Sequence, residues 1–174
     1  MTGSPDQLDA GGRRRLATGD RLRVGVISDT HGLLRAEAVV VLDGSHAIVH
    51  AGDVGSADIL QALGRLAPVT AVRGNMDFGT WARSLPEATV LEIGGARLYV
   101  VHDVQKLLVD PRSFGFAAVI FGHSHRSSSE LRDGVLFFNP GTAGPAPARQ
   151  PVSVGRLVIS RDGVAGEIVR LRGV

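Results

Sequence analysis

Residues 21–32 read Arg21-Leu22-Arg23-Val24-Gly25-Val26-Ile27-Ser28-Asp29-Thr30-His31-Gly32. The stretch begins as an alternating and then apolar run over 21–28, which predicts a strand. It ends in an aspartate and a histidine two residues apart, followed by a glycine that allows the chain to turn. This arrangement, an apolar strand that ends in polar side chains beside a glycine, recurs along the chain and decides the predicted fold.

The chain continues from this strand as an alternation of helices and strands. Apolar spacing predicts a helix over 33–42 and a second one from an N-cap at Ser56 to about Leu66, with strands over 47–50 and 69–72. This β-α-β-α-β opening is typical of a parallel sheet with helices on its faces. The second half predicts a short helix over 104–109 and strands over 89–93, 96–101, 117–121, 126–131, 135–139, 152–159 and 164–171. We therefore predict an α/β fold in which two mixed sheets pack face to face with helices outside.

Length and composition set further bounds. The 174 residues suggest one domain, and the absence of cysteine excludes disulfides, thiolate zinc sites, iron–sulfur clusters and cysteine nucleophiles. Residues 1–20 have no periodic apolar pattern, so we predict a disordered tail there and a domain over 21–174. The sequence has no run long enough to span a membrane and no signal-peptide core, so we expect a cytoplasmic protein without a membrane partner. Its basic residues are scattered, so we do not expect nucleic acid as a partner.

Residues of types that commonly bind metals follow five of the predicted strands. An apolar run, Val119-Ile120-Phe121, leads into Gly122-His123-Ser124-His125, and the other four strand ends carry the same kinds of residue. The full set is Asp29, His31, Asp53, Asn75, His102, His123 and His125. Each one alone fits a turn or an N-cap at least as well. Together they favour a ligand site, because ligands bind in the crevice beyond the carboxyl ends of the strands in open α/β sheets.

Seven oxygen and nitrogen ligands exceed the needs of one tetrahedral ion and suit two divalent ions that share a bridging carboxylate. The ligand set contains no sulfur, so we expect manganese, with iron, zinc, nickel or magnesium as alternatives. Two carboxylates and two divalent ions leave a net charge of about +2, or about +1 with a hydroxide, which attracts phosphate. Of the other two histidines, His46 is predicted to lie on the surface, and His50 to support the site or pack beside it.

The order of these blocks resembles the calcineurin-like metallophosphoesterase superfamily, and within it the small one-domain phosphodiesterases of bacteria and archaea. The similar blocks are Ser28-Asp29-Thr30-His31-Gly32, His50-Ala51-Gly52-Asp53, Val72-Arg73-Gly74-Asn75, His102, Gly122-His123-Ser124-His125 and Asn139-Pro140-Gly141-Thr142. The resemblance covers residues 21 to about 174 and implies a four-layer α/β/β/α sandwich.

The resemblance also implies roles. One ion would be held by Asp29, His31 and His125, the second by Asn75, His102 and His123, and Asp53 would bridge them. A hydroxide between the ions would attack phosphorus. The implied catalytic residues are Asp29, Asp53, Asn75, His102 and His123.

Two positions depart from the wider family pattern. Many members carry a histidine where this chain has Met76, and most have a glycine where it has Asp103. Asp77, next to Met76, is open to two interpretations, as a residue that orients Asn75 or its backbone and as a solvated turn residue.

The expected activity is hydrolysis of a small phosphodiester or nucleotide-like substrate. A phosphomonoesterase or nucleotidase, and a non-catalytic scaffold like the retromer subunit of this family, are alternatives. The scaffold branch has lost the ligand that corresponds to His31, which this chain keeps, so catalysis is favoured. A homodimer is left open.

Overall fold

The computed structural model describes residues 21–146 and 150–172, and the predicted tail over 1–20 lies outside this part of the chain. The elements in order are β1 (Leu22–Ile27), α1 (Ala36–Leu42), β2 (Ala47–His50), α2 (Ala57–Gly64), β3 (Val69–Ala71), a 3-10 turn (Ala82–Ser84), β4 (Ala88–Ile93), β5 (Ala96–Val101), a second 3-10 turn (Val104–Lys106), β6 (Ala118–Ile120), β7 (Ser128–Arg132), β8 (Val135–Asn139), β9 (Ser153–Ser160) and β10 (Gly163–Arg170). None of the helices in the described ranges has the length and apolar character needed to cross a membrane.

The strands form two five-stranded mixed sheets. The first has the order β10-β9-β1-β2-β3, with β1, β2 and β3 parallel and β9 antiparallel to β1. The second has the order β4-β5-β6-β8-β7, with β5, β6 and β8 parallel and antiparallel strands at both edges. The three neighbouring parallel strands in each sheet bring their carboxyl ends to one edge, where the loops that carry the polar residues begin.

The main core lies between the two sheets. Residues of β1 and β9, such as Val24 and Leu157, form one buried cluster with Leu98, Ile120 and Phe138 of the second sheet. The Phe138 ring needs two glycines opposite it, because a Cβ atom at Gly155 or Gly166 would lie 2.3 Å or 2.6 Å from the ring. A second buried cluster joins α1 and α2 to the outer face of the first sheet. Burial of these apolar side chains on folding is the main favourable free-energy term in the sandwich.

The predicted class, an α/β fold of two mixed sheets packed face to face, is confirmed. In the described residues both α-helices lie on the first sheet, and the outer face of the second carries a smaller cluster that includes Val104 of a 3-10 turn. The predicted helix over 104–109 is wrong beyond that turn. The Asp103 side chain accepts a hydrogen bond from the Gln105 amide at 3.0 Å and caps a turn that ends at Lys106.

The predicted start of α1 at Leu33 is also wrong. The Leu33 amide donates to the Thr30 carbonyl at 2.8 Å, so this residue still belongs to the turn after β1. Arg35 remains in the extended conformation at φ −75° and ψ 143°, and the helix begins one residue later. Apolar spacing alone did not reveal this delay, because Leu33 and Leu34 fit the helical pattern without taking part in the helix.

Candidate metal centre

The seven predicted ligand residues lie in loops at the carboxyl ends of parallel strands from both sheets. Asp29 and His31 follow β1, Asp53 follows β2, and Asn75 follows β3. His102 follows β5 in the second sheet, and the last two, His123 and His125, follow β6. Face-to-face packing of the sheets places these five loops around one crevice, so residues up to 96 positions apart in the chain become neighbours.

The first group of ligand atoms comes from Asp29, His31 and His125. Their ligand atoms all lie within 4.8 Å of one another. Asp29 Oδ1 is 3.3 Å from His125 Nε2, and the Nε2 atoms of the two histidines are 3.4 Å apart. The aspartate is fully buried, while the two imidazoles are about a quarter exposed. The group is therefore closed at the carboxylate and open on the imidazole side.

The second group comes from Asn75, His102 and His123. Asn75 Oδ1 lies 3.1 Å from His102 Nε2 and 2.9 Å from His123 Nδ1. His102 is buried, but Asn75 and His123 are exposed. The His102 ring is oriented by its other nitrogen, because Nδ1 lies 2.7 Å from the Ala51 carbonyl and donates to it. That hydrogen bond orients the ring with Nε2 towards the site, where the neutral imidazole would offer its Nε2 lone pair to a metal.

Asp53 lies between the two groups. Its Oδ2 atom is 3.8 Å from His31 Nε2 in the first group and 3.4 Å from His102 Nε2 in the second. Its Oδ1 atom accepts a hydrogen bond from the Met76 amide at 2.8 Å, which fixes the carboxylate plane. Asp29, Asp53 and His102 also form a set of ligand atoms within 4.8 Å of one another. The geometry therefore offers one carboxylate to both groups.

The environment of the Asp29 carboxylate favours a bound cation. Both of its oxygens are buried and have no hydrogen-bond partner among the described residues. A buried carboxylate without a partner is costly unless it is paired or bound to a metal. Burial raises the pKa of Asp29, against the opposing effect of nearby polar and basic groups. The donor set, two carboxylates, four imidazoles and one amide oxygen, fits divalent metal ions.

Contact between Asp53 and His102 affects the pKa of both groups. Burial by itself would raise the pKa of Asp53, but hydrogen bonds from His102 and from the Met76 amide lower it. Burial likewise would lower the pKa of His102, but its hydrogen bonds to Asp53 and to the Ala51 carbonyl raise it. Negative charge is therefore held at the centre of the site, between the two groups.

Five of the seven ligand residues have a left-handed backbone, with φ of 54° at Asp29, 46° at His31, 52° at Asp53, 66° at His123 and 58° at His125. This conformation costs a non-glycine residue roughly 1–2 kcal/mol. Such outliers cluster at functional sites, where the surrounding structure enforces them. Apolar periodicity does not reveal this strain, because it does not report the backbone angles of single residues.

Two glycines let the loops approach the carboxylates. A Cβ atom at Gly74 would lie 2.0 Å from Asp53 Oδ1 and 2.2 Å from the Asp53 amide nitrogen. A Cβ atom at Gly122 would lie 2.7 Å from Asp29 Oδ2. The glycines next to Asn75 and His123 are therefore required by close packing against the two aspartates.

The remaining two histidines lie outside both groups. His46 is exposed, as predicted, and its Nδ1 accepts a hydrogen bond from the Arg23 amide at 3.0 Å. His50 is fully buried, and its Nε2 lies 2.9 Å from Thr30 Oγ1. Because Thr30 Oγ1 donates to the Val54 carbonyl at 2.8 Å, His50 Nε2 must carry the hydrogen and donate to Thr30. Burial lowers the pKa of His50 to about 4, so it is neutral and supports the loop after β1.

The burial and the contacts of Asp77 distinguish between its two interpretations. It is 5% exposed, and its carboxylate accepts hydrogen bonds from the amides of Gly55 and Gly74, both at 2.8 Å. These amides belong to the loops after β2 and β3. Asp77 thus ties the loop that carries Asp53 to the loop that carries Asn75, and it is not a solvated turn residue.

Asn139 and Thr142 are supporting residues whose role the sequence did not reveal. Asn139 Nδ2 donates to the Gly122 carbonyl at 2.8 Å and to Ser124 Oγ at 3.1 Å. Thr142 Oγ1 donates to the Asp29 carbonyl at 3.0 Å. The loop after β8 therefore supports the loops that carry Asp29 and His123. The only signal for them was that both belong to a block that resembles the family.

Comparisons with known proteins agree with this arrangement. A family model for the calcineurin-like phosphoesterase superfamily domain matches residues 22–162. A probable metallophosphoesterase of Methanocaldococcus jannaschii is 35% identical over 147 residues, which cover 77% of this chain and 73% of the relative.

Solved structures share the fold. One, a novel archaeal phosphodiesterase, has a TM-score of 0.71 at 22% identity, and the match covers 86% of this chain and 100% of that protein. Vps29 of Entamoeba histolytica in complex with zinc has a TM-score of 0.64 at 22% identity and covers 86% of this chain and 99% of its own. At these identities the two structures establish the fold alone.

Proposed function

The chain belongs to the calcineurin-like phosphoesterase superfamily, and from this premise we propose that it is a phosphodiesterase with a dinuclear metal site. The observation that carries the proposal is the shared carboxylate of Asp53, which lies 3.8 Å from His31 Nε2 and 3.4 Å from His102 Nε2. The buried Asp29 carboxylate supports it independently, since its oxygens have no hydrogen-bond partner among the described residues and a bound cation would stabilise them.

The ligand assignment follows the two groups. Asp29, His31 and His125 would hold one ion, Asn75, His102 and His123 would hold the other, and Asp53 would contact both. Two divalent ions, when bound, supply a hydroxide nucleophile near neutral pH and stabilise the negative charge of the phosphoryl group. The sulfur-free, mixed oxygen and nitrogen ligand set suits manganese, iron, zinc or nickel, and of these we propose manganese.

Charge supports a diester over a monoester. The two aspartates contribute −2, two divalent ions +4 and a hydroxide −1, so the loaded site carries about +1. A monoanionic diester brings this sum to zero, whereas a dianionic monoester makes it negative.

The residue after Asn75 limits which esters react quickly. In hydrolysis the water oxygen forms a bond to phosphorus, the bond to the departing oxygen breaks, and that oxygen must gain a proton unless it leaves as a stable anion. Met76 is half-exposed beside Asn75 and cannot donate this proton. Nitrophenyl esters, which leave without protonation, should therefore react much faster than alkyl esters, since a positioned acid is worth ~10²–10⁴ in rate.

The test is a screen of protein stripped with a chelator and then loaded with one divalent metal at a time. We expect about two ions per chain by elemental analysis, with bis(4-nitrophenyl) phosphate cleaved faster than 4-nitrophenyl phosphate. His125→Ala should abolish both activities, and His46→Ala, at the exposed histidine, should leave them unchanged. The proposal is contradicted if the protein takes up no divalent ion during loading, or if the loaded protein cleaves the monoester faster than the diester. Binding of metal without any hydrolysis would favour the scaffold alternative.

A further inference from the structure

A cleft of about 390 Å³ opens beside the second group of ligand residues. Asn75, His102 and His123 line it, so a phosphoryl group bound at this group would border the cleft. The volume falls within the range of small-molecule sites and exceeds what a phosphate alone requires. The cleft therefore has room for an organic group attached to the phosphate.

An exposed aromatic ring forms part of the cleft wall. Phe78 lines it and is 69% exposed, although it lies in the same short loop as the buried Asp77. Water contact with an apolar ring is unfavourable, and small-molecule sites are concave and combine aromatic side chains with a few polar groups. A flat ring presents a face on which a planar group can stack.

The rest of the wall offers both hydrogen-bond donors and acceptors. Arg73 Nη2 lies 2.6 Å from Glu87 Oε1, and both side chains line the cleft, so their charges largely cancel. Lys106 and Asp103 line it as well and bring one charge of each sign. Asp77 lines the cleft too, so its wall carries three carboxylates and two basic groups. With this excess of negative charge and its mixed polar groups, the wall suits a neutral group with several donors and acceptors better than a second anion.

We propose that this cleft binds the nucleoside part of the substrate, with the base stacked on Phe78. The proposal rests on the phosphoesterase function above and names its substrate class as small nucleotide esters. A base is planar and stacks on aromatic side chains, and its edges and the ribose hydroxyls both donate and accept hydrogen bonds. Removal of one stacking ring typically weakens binding of a base about 5- to 150-fold.

The experiment measures binding by titration calorimetry on metal-loaded protein, with adenosine 5′-monophosphate and ribose 5-phosphate as probes. The two share the phosphate and the sugar and differ only in the base. We expect wild-type protein to bind the nucleotide at least about fivefold more tightly. Phe78→Ala should remove most of this difference without changing the affinity for ribose 5-phosphate, and Phe78→Trp should preserve it.

Phe114→Ala is the matched control, because Phe114 is 53% exposed but stacks on Phe116 away from the cleft. It should leave both affinities unchanged. Equal affinity of wild-type protein for the two probes, including no measurable binding of either, overturns the proposal, and so does equal weakening by Phe78→Ala and Phe114→Ala. Binding does not depend on turnover, so a protein that fails to cleave diesters but still distinguishes the probes would contradict only the proposed phosphodiesterase activity.

Discussion

Replacement of Asp77 tests whether this residue holds the loop after β2 to the loop after β3, as its hydrogen bonds indicate. Asp77→Ala removes both hydrogen bonds at 2.8 Å and leaves the amides of Gly55 and Gly74 without their partner. A hydrogen bond to a charged group contributes about 1.5–3 kcal/mol. The Gly55 bond is only partly buried, so water can replace some of it. We therefore expect the free energy of unfolding to fall by about 2–4 kcal/mol, which corresponds to a melting temperature lower by roughly 4–16 °C.

Urea denaturation of metal-free protein measures the loss, and calorimetric titration measures metal affinity. Asp77→Asn keeps one acceptor oxygen and should lose about half as much stability. Both variants should bind metal roughly 10- to 100-fold more weakly, the usual effect of removing a group that orients ligands. Asp162→Ala, at an exposed aspartate in the turn between β9 and β10, is the control and should change stability by less than about 0.5 kcal/mol. An Asp77→Ala protein as stable as this control would refute the argument.

Three further predictions concern the centre of the site. Asp53→Ala should release both metals, whereas Asn75→Ala should keep about one per chain; elemental analysis giving equal metal content in the two variants would argue against a shared carboxylate. Gly74→Ala should lower both stability and metal affinity, because its Cβ would lie 2.2 Å from a backbone nitrogen that cannot move aside easily; unchanged melting and metal titration would contradict this. Burial lowers the pKa of His50 to about 4, so the folded state binds fewer protons than the unfolded state below pH 6.5. The free energy of unfolding should fall as pH drops from 6.5 to 4, by at most about 3 kcal/mol, and His50→Gln should reduce this fall in urea titrations at each pH.

The sequence predicted the seven ligand candidates because of the geometry of parallel strands. An apolar run that ends in Asp29 or Asp53 shows where a strand stops, and the carboxyl ends of neighbouring parallel strands lie at one edge. The pairing of β5 and β6 brings the later histidines to the corresponding edge of the second sheet. Strand ends and residue types were therefore sufficient to select residues that the structure brings together, without knowledge of the distances between them.

Features that depend on the path of the loops could not be predicted in this way. In the sequence Asp77 cannot be distinguished from an ordinary turn aspartate. The structure shows that amides from two different loops donate to its carboxylate. The short turn after His102 fits a helical pattern, yet only the Asp103 cap decides that it ends at Lys106. Such contacts join residues that are far apart in the sequence, or they depend on a single side-chain rotamer. The hydrophobic periodicity of the sequence does not predict them.

The left-handed backbone explains why two pairs of ligands have a spacing of two residues. Asp29 and His31 both have positive φ and contribute to the same group, while Thr30 between them bonds to His50 and to the Val54 carbonyl. The second pair has the same backbone conformation, but its members belong to different groups, His123 to the second and His125 to the first.

His123 and His125 have positive φ, and Ser124 between them accepts a hydrogen bond from Asn139. In each triplet the middle residue anchors the loop to the fold, and the outer two place candidate ligand atoms in the site. An extended chain would also direct alternate side chains to one face, but it would run on past the site. The strained turn instead holds both ligands at the end of the strand, and the anchoring hydrogen bonds offset part of its conformational cost.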